Sequence, residues 1–184
     1  MNLKKRSELE AVLFASGNPL SLEKAAAVLQ VSQQEAATLL EELQLSYQNE
    51  ERGICLRKAA GGWQLVTKPE LADVVRSLQE QQEVKLSNAA LETLTIIAFK
   101  QPVTKGEIEA IRGVKVDGVL GTLSELQLIG EIGRKEVLGR PILYGTTDKF
   151  LTTFGLNTLE DLPDLPEELL EQDEVKSEIG RAHV

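Results

Sequence analysis

Apolar residues recur at helical spacing through the first fifty residues of the chain. A serine stands before each of three such stretches, in the position that is typical of a helix N-cap. The three predicted helices follow Ser7, Ser21 and Ser32, and Glu10 completes a capping box with Ser7. Because only Val31 separates the second helix from the third, the chain must turn sharply there, which is typical of a helix-turn-helix.

The periodicity then changes from helical spacing to alternation. Apolar and polar residues alternate on both sides of Gly61-Gly62, over residues 54–58 and 63–67, and this pattern predicts a β-hairpin. Pro69 should open a fourth helix with Leu71 and Val74 on its apolar face. Three helices, a hairpin and a trailing helix describe a winged-helix domain.

The same order of elements recurs in the second half. Glu-Leu-Gln-Leu begins at Glu42 and again at Glu125, an offset of 83 residues at which Pro19 aligns with Pro102 and Phe14 with Ile97. A second wing should turn at residues 139–141. The predicted fold class is therefore mainly α with small β-hairpin wings (α+β), built as two tandem winged-helix domains. The predicted boundaries are 1–80 for the first domain, 81–86 for a linker, 87–158 for the second domain and 159–184 for a tail.

Charge and cysteine content limit the function classes. The 184 residues carry a net charge of −9, and residues 156–184 hold nine acids against two bases, so the tail is expected to be disordered. The last seven residues resemble the translated sequence of a sequencing adapter, so no function is assigned to His183, the only histidine. With Cys55 as the only cysteine, we expect a reducing cytoplasm, and we find no signal peptide or membrane segment.

Neither a nucleophilic triad nor a histidine or cysteine metal site can be assembled from one cysteine and one histidine. We therefore expect no catalysis, no metal and no cofactor. A winged helix often binds DNA, but the two candidate recognition helices, residues 32–47 and 116–129, contain acids and no lysine or arginine. Both would repel phosphate, which favours protein binding. Basic residues lie on the wings instead: Arg57, Lys58, Arg134, Lys135 and Arg140.

The second half carries specific motifs. Residues 133–151 read GRKEVLGRPILYGTTDKFL, and residues 100–104 read KQPVT. In these motifs the chain resembles the family of segregation and condensation protein B, over about residues 9–163. The resemblance implies a non-enzymatic, homodimeric subunit of the bacterial SMC condensin-like complex, acting in chromosome condensation and partition. Such a subunit binds the kleisin ScpA and, through it, the SMC head domains; it would be cytoplasmic and nucleoid-associated, with DNA contacted only indirectly or weakly.

In this family the first domain mainly dimerises and the second supplies much of the kleisin contact. We expect Arg140, Pro141 and Tyr144 to bind the partner, although Pro141 could simply shape the turn and Tyr144 could pack beneath the wing. For dimerisation we favour three residues of the first helix, which could equally be plain core: Leu9, Leu13 and Phe14. The alternative is a winged-helix DNA-binding transcriptional regulator.

Overall fold

Each half of the chain folds as three helices followed by a β-hairpin, in the predicted order. The computed structural model describes residues 2–77 and 86–163. The first unit consists of α1 (Asn2–Ser16), α2 (Leu22–Leu29), α3 (Gln33–Ser46), β1 (Ile54–Ala59), β2 (Gly62–Thr67), a 3-10 helix (Pro69–Leu71) and α4 (Ala72–Arg76). The second consists of α5 (Asn88–Lys100), β3 (Val103–Thr104), α6 (Lys105–Arg112), α7 (Asp117–Glu125), β4 (Ile129–Arg134), β5 (Ile142–Thr146), α8 (Asp148–Phe154) and a 3-10 helix (Leu159–Asp161).

Side-chain caps fix where most of the helices begin. The hydroxyls of Ser21 and Ser32 accept hydrogen bonds from the third backbone N–H of α2 and α3, as predicted. The prediction at Ser7 is wrong, because α1 begins at Asn2 and the Ser7 hydroxyl donates to Leu3 O within the helix. Lys5 stabilises the added turn by pairing with Glu8 and donating to a carbonyl at the end of α2.

The predicted fourth helix is shorter than expected. Pro69 opens a single turn of 3-10 helix, and α4 adds only five residues. None of the side chains in these two elements is buried, and both Leu71 and Val74 face solvent. The apolar stripe of this segment is therefore a surface feature of the first unit.

Each unit has its own hydrophobic core, and no residue in the described part of the chain belongs to both cores. The first core contains Leu9, Leu13, Leu20, Ala25, Leu29, Leu39, Leu40, Leu43, Tyr47 and Leu56. The second core contains Ala90, Leu94, Ile97, Ala98, Val103, Ile108, Val116, Leu120, Leu123, Leu128, Ile129 and Phe150. Helices and hairpin of each unit contribute to its own core, which makes each unit a winged-helix fold.

The sheets are small and antiparallel. β1 and β2 pair from Ile54 opposite Thr67 to Ala59 opposite Gly62, and Ala60 and Gly61 form the connecting turn with positive φ angles. Positive φ at both central residues is the requirement of a type I′ hairpin turn. In the second unit the strand order is β3-β5-β4, which leaves β4 at an edge of the sheet.

The internal repeat holds in α2 and α6 but slips in the first helix of each unit. The bounds of α2 and α6 differ by the 83-residue offset, and their N-caps Ser21 and Thr104 are aligned. At the same offset Phe14 is 80% exposed, whereas Ile97 is 0% exposed. The buried residue of α1 in this turn is Leu13, so the core-facing stripe of α1 lies one residue earlier than the alignment predicts.

The predicted linker and tail fall mostly outside the described residues. Of the linker, only Leu86 is described, and it packs against the second core. Disorder from residue 159 onward is wrong for residues 159–163. There a capping box between Thr158 and Asp161 holds a 3-10 turn, and Leu162 packs against the second core. The remaining tail, residues 164–184, lies outside the described part of the chain.

Candidate partner-binding surfaces

A groove runs between α7 and the edge strand β4 of the second unit. Its volume is about 430 Å³, and it is lined by Lys105, Asp117, Leu120, Gly121, Ser124, Ile129, Gly130, Glu131 and Tyr144. Glycine and serine keep the α7 wall low, and a Cβ atom built on Gly121 would meet nothing within 4 Å. Tyr144 enters the groove from β5, where it pairs with Glu131 of β4 and Val103 of β3.

The charges at one end of this groove neutralise each other. Lys105 Nζ donates a hydrogen bond to the carboxylate of Asp117 and lies 3.8 Å from Glu109. The hydrogen bond lowers the pKa of Asp117 and raises the pKa of Lys105, so both groups stay ionised at neutral pH. The groove therefore offers a half-buried tyrosine, open strand edge and a closed ion pair, rather than a net positive charge.

Two of the three predicted partner-binding residues lie elsewhere, at the tip of the second wing. Arg140 has a φ of +39°, is exposed, and donates to Glu136 at 3.1 Å. Pro141 accepts a hydrogen bond from Lys135 N–H at 2.9 Å and thereby shapes the turn. The structure thus separates Arg140 and Pro141 at the tip from Tyr144 in the groove. Leu138, fully exposed beside them, was not singled out by sequence reasoning.

An ion pair ties this wing to the start of α6. Lys135 Nζ donates to Glu107 Oε1 at 2.6 Å, while Glu107 Oε2 accepts from the backbone N–H and the hydroxyl of Thr104 in the capping box of α6. These hydrogen bonds lower the pKa of Glu107 from 4.5 to about 2, and the bond from Lys135 has the largest effect. The wing is consequently held over the N-terminus of α6 and beside the groove.

Replacing Glu107 by glutamine should reduce stability in a pH-dependent way. Because the folded-state pKa is lowered, the stabilisation is fully present above pH 4.5 and is lost as pH falls toward 2. The pair is 44–45% exposed, so we expect a loss of about 1 kcal/mol at pH 7. The loss should be smaller at pH 3, which lies between the unfolded-state and folded-state pKa values of Glu107. Urea unfolding at both pH values checks this. Glu125→Gln is the control, and an equal effect of Glu107→Gln at the two pH values would contradict the assignment.

The first helix presents a second candidate surface. Leu9 and Leu13 are 0% and 2% exposed and belong to the protomer's own core, so neither can contact a second copy in the folded protein. Phe14, in contrast, is 80% exposed. With Leu3 and Ala11 it forms an exposed apolar stripe along the outer face of α1. Of the three residues predicted for dimerisation, the structure leaves only Phe14 available.

A third candidate surface, a groove of about 610 Å³ in the first unit, was missed by sequence reasoning. It is lined by Gln44, Tyr47, Gln48, Glu50, Arg52, Cys55, Leu56, Lys68, Pro69, Glu70 and Leu71. Tyr47 donates a hydrogen bond to Glu10 of α1. The pKa of Tyr47 is raised to about 12, mainly because the hydroxyl is partly buried and secondly because of this hydrogen bond. No local pattern could reveal the groove, because it forms where the end of α3 meets β1 and the Pro69 turn.

The candidate DNA-reading helices, α3 and α7, have the acidic character that the sequence predicted. Neither α3 nor α7 carries a lysine or an arginine, and both expose acids: Glu35 and Glu41 on α3, Asp117 and Glu125 on α7. Among residues 2–77 and 86–163, no cluster of three or more histidine, cysteine or acidic residues is arranged to hold a metal ion. None of the described helices combines the length and apolar character needed to cross a bilayer.

The fold and these surfaces define a tandem winged-helix protein that has surface grooves and whose candidate reading helices carry no basic residue. The family model described as "Segregation and condensation complex subunit ScpB" matches residues 7–165. The chain is 49% identical to segregation and condensation protein B of Moorella thermoacetica, over 97% of this chain and 92% of the relative. It is 55% identical to the Geobacillus kaustophilus protein of that name, over 86% of this chain and 74% of the relative.

The chain belongs to the segregation and condensation protein B family and is thus a subunit of the segregation and condensation complex. Solved structures are also similar. The crystal structure of ScpB from Mycobacterium tuberculosis is 32% identical, covering 85% of this chain and 98% of that one, with a TM-score of 0.42. A crystallised dimer of ScpB N-terminal domain complexed with ScpA peptide is 45% identical, covering 40% of this chain and 93% of that one, with a TM-score of 0.39.

Proposed function

We propose that the chain is a non-enzymatic, homodimeric subunit that binds the kleisin ScpA and, through it, the heads of an SMC complex in chromosome condensation and partition. Membership of the family supports the complex. The main support for partner binding is the groove beside β4. There Tyr144 lies between a low α7 wall and an unpaired strand edge. Action within such a complex makes the protein cytoplasmic and nucleoid-associated.

The groove suits a peptide segment of the kleisin better than a nucleic acid. An edge strand offers unpaired backbone N–H and C=O groups, and pockets beside it select side chains of the added peptide. A tyrosine supplies both apolar area and a hydroxyl, the combination that is enriched at binding hot spots. Arg140 and Pro141 at the wing tip extend this surface as secondary contacts rather than as its centre.

The exposed stripe of α1 is the proposed dimer surface. A phenylalanine that is 80% exposed on a helix otherwise well packed against its own core gains free energy when a second copy covers it.

Co-expression with ScpA tests the proposed function. We expect a stable complex that contains two copies of this chain, measured by native mass spectrometry. Arg140→Glu should weaken ScpA binding about tenfold, because it places two glutamates four residues apart at the wing tip and removes a cation. Arg76→Glu on α4, also exposed, is the matched control. Failure to recover any complex with ScpA would contradict the proposal.

The alternative, a DNA-binding transcriptional regulator, depends on the wings. There Lys135 is paired with Glu107 and Arg140 with Glu136, so two of the three basic residues of the second wing are already neutralised. Duplex DNA binding that is tight and falls steeply with added salt would favour the regulator over the kleisin-binding subunit.

A further inference from the structure

The turn of the first hairpin reaches across to the second unit. Two consecutive backbone N–H groups donate to the segment after α8: Ala60 to Leu156 O at 3.0 Å, and Gly61 to Asn157 O at 3.1 Å. Gly61 N–H also lies 3.2 Å from Asn157 Oδ1. Asp161 accepts hydrogen bonds from the backbone N–H of Asn157 at 2.8 Å and so holds the accepting segment in place.

An arginine beside the turn makes a second connection. Arg57 Nη2 donates to Thr152 O at 3.1 Å, in the last turn of α8, where the negative end of the helix favours a cation. The same carbonyl also accepts a hydrogen bond from Gly155 N–H at 3.3 Å. A glycine ends that helix and leaves room for the arginine. A Cβ atom on Gly155 would lie 3.0 Å from Arg57 Nη1, and its φ of +71° also favours glycine.

The contact consists of hydrogen bonds, and shared apolar packing does not reinforce it. The two hydrophobic cores have no residue in common, and among the described elements every extensive contact lies within one unit. Arg57 Nε is buried without a hydrogen-bond partner in the described residues, which makes the closed contact less favourable. Since water can replace each of these hydrogen bonds, opening the contact changes the free energy little.

We propose that the first hairpin acts as a clasp, in which Arg57 and the turn 60–61 bind the end of α8 and hold the two units in one arrangement. This closed arrangement exchanges with an open one, in which the contact is broken. The clasp connects the unit that carries the α1 stripe to the unit that carries the Tyr144 groove. Closing it fixes the direction of the groove relative to α1, and opening it frees that direction. This conformational device does not depend on which partner fills the groove.

Distances between the two units test the clasp. In a Cys55→Ser chain, spin labels are placed at Thr38→Cys on α3 and Lys149→Cys on α8, both exposed positions outside the contact. The labelled chain is diluted with unlabelled chain so that only pairs within one molecule are measured. We expect a narrow short-distance population in the otherwise native chain, and a broader distribution shifted to longer distances in Arg57→Ala and Asn157→Ala.

Arg52→Ala, an exposed arginine of the same unit outside the contact, should leave the distance distribution unchanged. Amide exchange provides a second measurement: exchange at Gly61 should accelerate at least severalfold in Asn157→Ala, with melting of both units unchanged. A distribution that is the same in Arg57→Ala and Asn157→Ala as in the native chain would overturn the clasp. So would a native chain that shows no short-distance population.

Discussion

Replacing Phe14 by glutamate should convert the dimer into a monomer without destabilising the first unit. The side chain is 80% exposed in the protomer, so the folded monomer loses no core contact. In the dimer, a carboxylate would be buried at the centre of an apolar surface without a partner, which costs several kcal/mol. We expect the dissociation constant of the dimer to rise by at least about a hundredfold. Light scattering should then give a mass near 20.2 kDa instead of twice that value.

Two variants separate this effect from general destabilisation. Leu13→Ala, one residue earlier, removes a core side chain and should lower the free energy of unfolding by about 2–5 kcal/mol. Val74→Glu changes another exposed apolar residue, on α4, and should leave the mass unchanged. If Phe14→Glu remains dimeric, or if Val74→Glu becomes monomeric to the same extent, Phe14 is not the centre of the dimer surface.

Replacing Gly121 by leucine should weaken kleisin binding strongly while making the second unit slightly more stable. Glycine within α7 disfavours the helix by about 1 kcal/mol relative to good helix formers, and a Cβ atom there meets no other atom within 4 Å. The leucine side chain would occupy the groove beside Tyr144 and exclude a peptide from it. We expect the dissociation constant for ScpA to rise about a hundredfold, the scale of losing a binding hot spot.

The neighbouring glycine provides the control. Gly118→Leu lies one turn earlier on α7, also in open space, and does not line the groove. It should raise stability by a similar amount and leave ScpA affinity unchanged, as measured by isothermal titration calorimetry. Equal affinities for the Gly118 and Gly121 variants would exclude this groove as the kleisin site.

Local chemistry explains which sequence predictions the structure confirms. Ser21 and Ser32 begin their helices because a hydroxyl and a backbone N–H three residues later meet whenever that short segment turns helical. The same spacing rule led to the wrong prediction at Ser7. Its spacing to Glu10 is right, but Lys5, through its bonds to Glu8 and to the end of α2, favours continuing the helix backward to Asn2.

The sequence by itself determined the order of the elements, the duplication and the acidic character of both reading helices. Each of these follows from the identity and spacing of neighbouring residues. Only the tertiary structure decided that Leu13 faces the core while Phe14 faces solvent, and that Tyr144 borders a groove apart from Arg140. It also brought Arg57 to the end of α8. These outcomes depend on how helices rotate and units pack, and contacts distant in sequence set that packing.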